Sequence, residues 1–283
     1  MTSSPIQLNR GTGLLVIEVI NSNPNGDPDQ ENDPRWRSDE RGEISPVSFK
    51  RKLRDLVDHK EGPVWQHIAD QMDLDAERFH ILEKQGRNRK TILQEIKDGR
   101  FTDRYWDGRL FGNTFLEEGR SDWLKLGVAQ FGLGLSIAPI EIERLTLTNK
   151  AGVEEGKNQG MAPMAYRFVV HGVYTMPFFI NPTAATKSSC TLEDIALLLQ
   201  VIPYAYTHTA SALRPSVYLR HAWYMEHTSP LGSCSDFTLI EALTPRRKED
   251  PERPSQQWSD YEVPAELPEA LSGRLTRFQD LIL

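Results

Sequence analysis

The stretch that decides the fold runs from LLVIEVI (14–20) through NSNPNGDPDQENDP (21–34) to SPVSFKRKLRDLVDHK (45–60). Its first part is an apolar, β-branched run that predicts a buried strand at about residues 13–20. The second part is rich in Pro, Asn and Asp and predicts a polar loop that extends to about residue 45. A loop of this length after a buried strand is typical of a functional site.

The third part predicts a helix with an apolar face and a basic flank. Ser45 is suited to the N-cap and Pro46 to the first helical position. At about 100° per residue, one stripe is apolar. It consists of Phe49, Leu53, Leu56 and Val57. The flank consists of Lys50, Arg51 and Arg54. Because Lys50 and Arg54 lie beside the stripe and not within it, we expect their reversal to Glu to leave the fold intact.

Charge is distributed unevenly along the chain. The formal net charge is −7 and the pI is about 5.6, whereas a general nucleic-acid binder is usually basic overall. Residues 46–60 nevertheless carry five Lys or Arg against two acids, and residues 84–109 carry eight against four. Such segregation suits a groove that binds an anion.

Several classes of protein are disfavoured by the sequence. There is no apolar run of about 18 residues to span a membrane, and the first residues lack the apolar core of a signal peptide, so we expect a cytoplasmic protein. Cys190 and Cys234 have no CxxC spacing and predict neither a disulfide framework nor a zinc site. No P-loop, GxGxxG or Ser-His-Asp set is recognisable, so no cofactor is expected.

The carboxylates of the long loop superficially resemble a calcium-binding loop. They stand at alternating positions: Asp27, Asp29, Glu31 and Asp33. The match fails because the sixth position from Asp27 is Asn32 and the twelfth is Ser38, where Gly and Glu are required. Turn-forming carboxylates are one interpretation, and a metal-dependent nuclease is the other. The histidines show no HExxH spacing and predict no metal site.

The remaining elements alternate between helical and strand-like patterns. Residues 64–106 have helical spacing, residues 127–149 and 167–180 are β-prone, and 192–202 predict a helix with Thr191 as N-cap. VYLRHAWYMEH (217–227) and SDFTLIEAL (235–243) predict further strands, and a short helix is expected near 267–281. The predicted elements follow the order strand, helix, two strands around a long tip, helix and strand. This order predicts an α+β fold with a ferredoxin-like, RRM-like βαββαβ core.

The motifs of this chain resemble those of one known family. The resemblance rests on NPNGDPD (23–29) and FKRKLRDLV (49–57), and it continues through five further strings. These are WDGRLFG (106–112), VAQFGLG (128–134), LTLTN (145–149), HGVYTM (171–176) and EHTSPLG (226–232). In the order and spacing of these motifs, the chain resembles the Csd2/Csh2 group of the Cas7 family. Members of this group are the guide-RNA backbone subunits of type I-C and I-B CRISPR Cascade surveillance complexes.

The resemblance implies a single elaborated domain over residues 1–283. Its parts are a core palm at about 11–60 and 123–245, helical fingers at about 61–122, a thumb hairpin at about 149–166 and a C-terminal extension at 246–283. It also implies a non-catalytic subunit that polymerises along crRNA and presents it for pairing with target DNA. The implied partners are crRNA, target DNA through the guide, further copies of the chain and other Cascade subunits.

Charge and resemblance together give a set of expected RNA contacts. The set is Asn23, Asn25, Lys50, Arg51, Arg54, Arg87, Arg89, Lys90, Arg109, Phe111, Gln130, Met161, Met164 and Arg167. In the family the thumb tip displaces one nucleotide at each subunit boundary, and Met161 and Met164 supply the apolar wedge here. Without the resemblance, Arg109 is interpreted as a structural ion-pair partner.

The sequence is also compatible with two other functions. One is a CRISPR-associated ribonuclease that uses Asp27, Asp29 or Asp33 to bind a metal, as some type III relatives use a loop aspartate. The other is a protein-binding scaffold without nucleic acid. Magnesium-dependent cleavage of bound RNA would favour the first, and absence of co-purifying RNA would favour the second.

Overall fold

The computed structural model describes residues 8–84, 88–113, 125–148 and 163–282, which form a mixed α+β fold with a large antiparallel sheet. The strands are β1 (Gly11–Ser22), β2 (Gly26–Asp27), β3 (Asp33–Pro34), β4 (Arg41–Ile44), β5 (Gly112–Asn113), β6 (Lys125–Leu126), β7 (Ala129–Phe131), β8 (Gly134–Pro139), β9 (Ile142–Thr148), β10 (Pro163–Ile180), β11 (Val217–His227), β12 (Arg246–Arg247), β13 (Tyr261–Glu262) and β14 (Leu275–Asp280). The helices are α1 (Pro46–Asp58), α2 (Pro63–Met72), α3 (Arg89–Lys97), α4 (Phe101–Arg104), α5 (Trp106–Phe111), α6 (Pro182–Ser188), α7 (Leu192–Val201), α8 (Asp236–Leu243) and α9 (Glu269–Ser272).

Strand β1 lies at the centre of the main sheet. The sheet order is β14-β11-β1-β10-β8-β4, and β7 and β9 also pair with β10. Alternate residues of β1 enter two different cores, because successive side chains of a strand point to opposite faces. Leu15 and Ile17 belong to the core that contains α1 and α7, whereas Leu14 and Val16 belong to the core under α8. The continuous apolar run therefore reflects a strand buried on both faces.

Helix α1 begins and packs as its sequence predicts. The Ser45 hydroxyl accepts a hydrogen bond from the Ser48 amide at 3.1 Å, and Pro46 takes the first helical position. Phe49, Leu53 and Val57 are fully buried against the sheet. Helix α7 also begins as predicted, since Thr191 and Asp194 form a reciprocal capping box.

Two predicted elements are wrong, both near the C-terminus. Residues 236–243 form helix α8, not a strand, because Leu239 and Leu243, four residues apart, are both fully buried under one helix face. The helix expected near 267–281 is limited to α9, and the chain then forms β14, which pairs with β11 along the sheet edge. The C-terminal extension therefore contributes an edge strand to the main sheet.

The long loop after β1 is more ordered than its composition predicts. It contains the two-residue pair β2–β3, and its last residues form β4, which joins the main sheet beside β8. The spacing of residues 64–106 predicts helices throughout, but after α2 residues 76–78 form only a short 3-10 turn. Within the described residues, none of the helices has the length and apolar character needed to cross a membrane.

Candidate nucleic-acid interface

The basic residues of α1 point in different directions and play different roles. Arg51 is exposed and pairs with Asp55 one turn later, at 3.6 Å. Arg54 is buried, with Nε 2.9 Å from Asp107 and a terminal nitrogen 2.8 Å from Glu83. The expectation that Arg54 lies on an exposed flank is therefore wrong, because α5 packs against that side of α1 and provides the buried Asp107 carboxylate.

Arg109 is an ion-pair partner within the fold. It is 2% exposed, and its Nε and Nη2 atoms lie 2.9 and 2.7 Å from the two carboxylate oxygens of Asp194. The remaining hydrogen bonds go to backbone carbonyls of Thr102, Asp103 and Arg78. No donor remains directed outward for a phosphate. The structural interpretation of Arg109 thus describes its contacts better than the RNA contact that the resemblance implied.

Lys50 lies over an aromatic cluster on one side of α1. Its Nζ is 5.6 Å from the ring centroid of Phe111, which is itself buried against Trp106 and Phe131. Burial, then repulsion by Arg54, lowers the pKa of the Lys50 ammonium. Among the described residues, no carboxylate lies within ion-pair distance of it. The Glu83 carboxylate, which pairs with Arg54, acts on Lys50 only from beyond ion-pair distance, so this half-buried cation is suited to binding an external anion.

Lys52 of α1 is a buried cation that is not among the expected RNA contacts. It is 5% exposed, its Nζ donates to the Thr209 hydroxyl at 3.0 Å, and it lies 5.1 Å from the ring centroid of Tyr206. Burial lowers the pKa of Lys52 to about 8, and repulsion by Arg214 adds to the effect.

Arg214 lies close enough to Lys52 to lower its pKa, and it brings positive charge to the long loop. Its Nε donates to the backbone carbonyl of Asn23 at 3.0 Å, and within the described chain it forms no ion pair. We refer to Lys50, Lys52 and Arg214 as the cation row. Its members come from α1 and from the connection before β11, and in the part of the chain described here none has a carboxylate within 4.0 Å.

The long loop is held in place by its own polar residues. Asn25 accepts a hydrogen bond from the Ser45 amide at 2.7 Å, which ties the loop to the start of α1. Asp33 is buried and pairs with Arg144 of β9 and Arg167 of β10. Arg167 also pairs with Glu31 and donates to its carbonyl at 2.8 Å. The loop carboxylates are therefore used as anchors to the base of the β9–β10 hairpin.

The other predicted contacts are only partly described. Gln130 is exposed in β7 and donates to the Gly127 carbonyl, and Lys90 is exposed in the first turn of α3. Arg89 and Met164 lie in α3 and β10, where only the backbone is described. Arg87 and Met161 lie outside the described residues. Among those residues, no three His, Cys, Asp or Glu side chains are grouped as metal ligands.

We predict that Lys52→Met raises the free energy of unfolding at pH 7. Burial lowers the pKa of Lys52 from 10.5 to about 8, so between these values the unfolded chain binds more protons and stability rises with pH. The loss of stability caused by burying the Lys52 ammonium is fully present below pH 8 and disappears above pH 10. Met keeps the packing volume without the charge, so the variant should also show a smaller increase in stability between pH 7 and pH 10. Urea unfolding at both pH values measures this, and an unchanged increase would contradict it.

Comparison with known proteins identifies one family and several similar folds. A family model described as "CRISPR-associated protein Cas7" matches residues 9–266. No curated protein matches the chain. A solved structure described as "CRISPR RNA-guided surveillance complex, pre-nicking" is 14% identical, with a TM-score of 0.49, over 76% of this chain and 78% of that one.

Two further solved structures are similar. One, described as "CRISPR RNA-guided surveillance complex", is 13% identical with a TM-score of 0.40, over 75% of this chain and 68% of the other. The second is described as "Cryo-EM structure of the Type III-B Cmr-beta bound to cognate target RNA". It is 9% identical with a TM-score of 0.40, over 77% of this chain and 61% of the other.

Proposed function

This chain belongs to the CRISPR-associated Cas7 family, and from that premise we propose that it is a backbone subunit that binds guide RNA in a CRISPR surveillance complex. The observation that carries the proposal is the cation row. In a chain of net charge −7, these three cations form no ion pair among the described residues, and the phosphates of a single strand would supply anions for them.

The strand order supports a ferredoxin-like palm. With β8 and β9 taken as the second strand, β10 as the third and β11 as the fourth, the order across the sheet is fourth, first, third, second, all antiparallel. A βαββαβ chain in which α1 and α7 are the crossovers produces this order. Helices α2 to α5 then correspond to the fingers, and the β9–β10 hairpin to the thumb, whose tip lies outside the described residues.

The proposal extends to assembly. Several copies would bind in succession along one crRNA of type I-C or I-B, through a head-to-tail contact that is heterologous and open. The guide then pairs with target DNA, and other Cascade subunits end the filament. Phosphate contacts suit this role because they hold a guide of any sequence.

Co-purification tests the proposed function directly. The chain expressed together with its neighbouring genes should carry RNA with a common repeat-derived end and variable internal sequence. An elevated absorbance ratio at 260 to 280 nm and sequencing of the extracted RNA measure this. Protein that remains free of RNA at low salt would refute the proposal and favour a protein-binding scaffold.

We further propose that the subunit is not a nuclease, and we predict that Asp33→Ala leaves the chemistry of bound RNA unchanged. The Asp33 carboxylate is used by Arg144 and Arg167, and no metal-ligand group is present among the described residues. Labelled RNA incubated with Mg²⁺ or Mn²⁺ should stay at full length with the wild type, Asp33→Ala and the control Asp70→Ala, which removes an exposed carboxylate of α2 outside the loop. Site-specific cleavage by the wild type that Asp33→Ala abolishes would identify a metal-dependent ribonuclease instead.

A further inference from the structure

A small cleft separates the long loop from the connection before β11. Its volume is about 230 Å³, and it is lined mainly by polar side chains. These include Asn23, Asn25, Glu31, Asn32, Arg167 and Arg214. The cleft lies at one end of the cation row, because Arg214 belongs to both. Its size suits one sugar and phosphate of a nucleic-acid strand better than a whole base pair.

Two arginines provide positive charge in this cleft from different elements. Arg167 comes from β10, and Arg214 from the segment before β11. Arg214 uses only Nε, towards the Asn23 carbonyl, so within the described chain its two terminal nitrogens have no hydrogen-bond acceptor. Terminal nitrogens of a guanidinium bind phosphate in a bidentate manner. The cleft therefore has a donor group ready for an oxyanion.

Asn23 supplies an acceptor that has no donor. The residue is 4% exposed, and its Nδ2 donates to the Asn32 carbonyl at 2.8 Å, which fixes the orientation of the amide. Its Oδ1 is buried and accepts no hydrogen bond among the described residues. A buried acceptor without a partner is costly. A phosphate cannot satisfy it, because phosphate oxygens also only accept, so the complementary ligand must carry a hydroxyl or amine as well.

Arg167 pairs with two carboxylates, the buried Asp33 and the exposed Glu31, and only Glu31 can leave without breaking a buried ion pair. The Glu31 side chain is 81% exposed, yet its carboxylate pairs with Arg167, whose side chain is 19% exposed. Glu31 and Asn32 both have positive φ values, 50° and 65°, which turn the loop back towards β10. An exposed surface pair of this kind contributes little stability. A backbone phosphodiester carries the same single negative charge as a carboxylate, so it can take the place of the Glu31 side chain at Arg167.

We propose that this cleft is a ribonucleotide subsite in which Arg167 and Arg214 bind a backbone phosphate and Asn23 Oδ1 accepts a hydrogen bond from the ribose 2′-hydroxyl, with Glu31 holding the anion position until RNA displaces it. The subsite rests on the proposed function. It gives the subunit a way to distinguish RNA from DNA, because the 2′-hydroxyl is the group that DNA lacks. The cation row binds either strand, since it contacts phosphate alone.

The test combines one protein change with one change in the sugar. Affinities of the wild type and Asn23→Ala are measured for a single-stranded RNA and for the same sequence as DNA, at one salt concentration. The wild type should prefer RNA, and Asn23→Ala should reduce that preference about threefold to tenfold, the effect of one hydrogen bond. A purely structural role of Asn23 would weaken binding of both strands equally.

Asn25→Ala is the matched control. Asn25 lines the same cleft, but its Nδ2 donates to the Gly26 carbonyl and its Oδ1 accepts from Ser45. Its removal should change affinity for RNA and DNA by the same factor. In addition, Glu31→Gln should raise RNA affinity about twofold to fivefold by removing the competing carboxylate.

The outcomes separate this inference from the proposed function. If the wild type binds neither strand, the proposed function fails. If the wild type binds RNA but Asn23→Ala keeps the full preference for RNA over DNA, the ribonucleotide subsite is refuted and the proposed function remains. If Glu31→Gln leaves RNA affinity unchanged or lowers it, Glu31 is not a stand-in for phosphate.

Discussion

Replacing Arg109 with Ala should lower the free energy of unfolding by about 3–5 kcal/mol. The change removes the partner of Asp194, a carboxylate with 0% exposure that also caps α7. It leaves that charge buried, and it removes the donors of three backbone carbonyls that Arg109 satisfies. Breaking a buried ion pair from one side costs much more than the pair itself contributes, because the remaining charge has no solvent. Urea unfolding followed by circular dichroism measures the loss.

The neighbouring pair of Arg78 and Glu193 provides the control. Its side chains are 43% and 35% exposed, and its nitrogen and oxygen are 3.2 Å apart, so Arg78→Ala should cost only about 0–1 kcal/mol. Arg109 lies in α5 and Arg78 in the 3-10 turn before it, both pair with residues of α7, and the two pairs differ mainly in burial. A cost for Arg109→Ala no larger than that for Arg78→Ala would show that the Arg109 pair is accessible to water. Arg109 would then again be a candidate for RNA contact.

Local patterns explain which parts of the fold could be predicted from the sequence. Strand β1 and helix α1 were predictable because a continuous apolar run, an N-cap and a stripe at helical spacing are all encoded within about 45 residues. Helix α8 and strand β14 were not. Their types depend on the surface that they cover, since Leu239 packs against the face of β1 that carries Leu14 and Val16, and no local signal reports that contact.

Of the cation row, the sequence predicted Lys50 as an RNA contact but neither Lys52 nor Arg214. Arg54 follows Leu53 directly, and only the fold shows that Asp107, 53 residues later, neutralises it. Lys52 lies three residues after Phe49, on the side that faces Tyr206, so its burial could have been inferred from helical spacing. Arg214 had no such signal, because it lies in an irregular connection whose position is set by Asn23. A sequence pattern reports the density of charge, whereas tertiary contacts decide which charges remain without a partner.

The variant in which Lys50, Lys52 and Arg214 are all replaced by Gln should therefore bind single-stranded RNA about 100-fold more weakly than the wild type in 0.1 M salt. Each phosphate contact on a single strand contributes about 0.7 to the slope of log affinity against log salt, so three lost contacts lower the slope by about 2. The difference between the variant and the wild type should then shrink towards 1 M salt. Arg54 is left in place because Arg54→Gln would break a buried ion pair and confuse loss of binding with loss of folding.

The control for this variant removes the same net charge elsewhere. Lys97, Arg246 and Lys248 are exposed and lie in α3, β12 and the residue after β12, and their replacement by Gln changes the long-range field of the protein by the same three charges. This control should reduce affinity only slightly and leave the salt slope nearly unchanged, because a distant charge releases no counterion from the RNA. Fluorescence anisotropy over a salt series measures both slopes. Equal slopes for the two triple variants would mean that RNA is bound by overall charge, and the cation row would then not be the site.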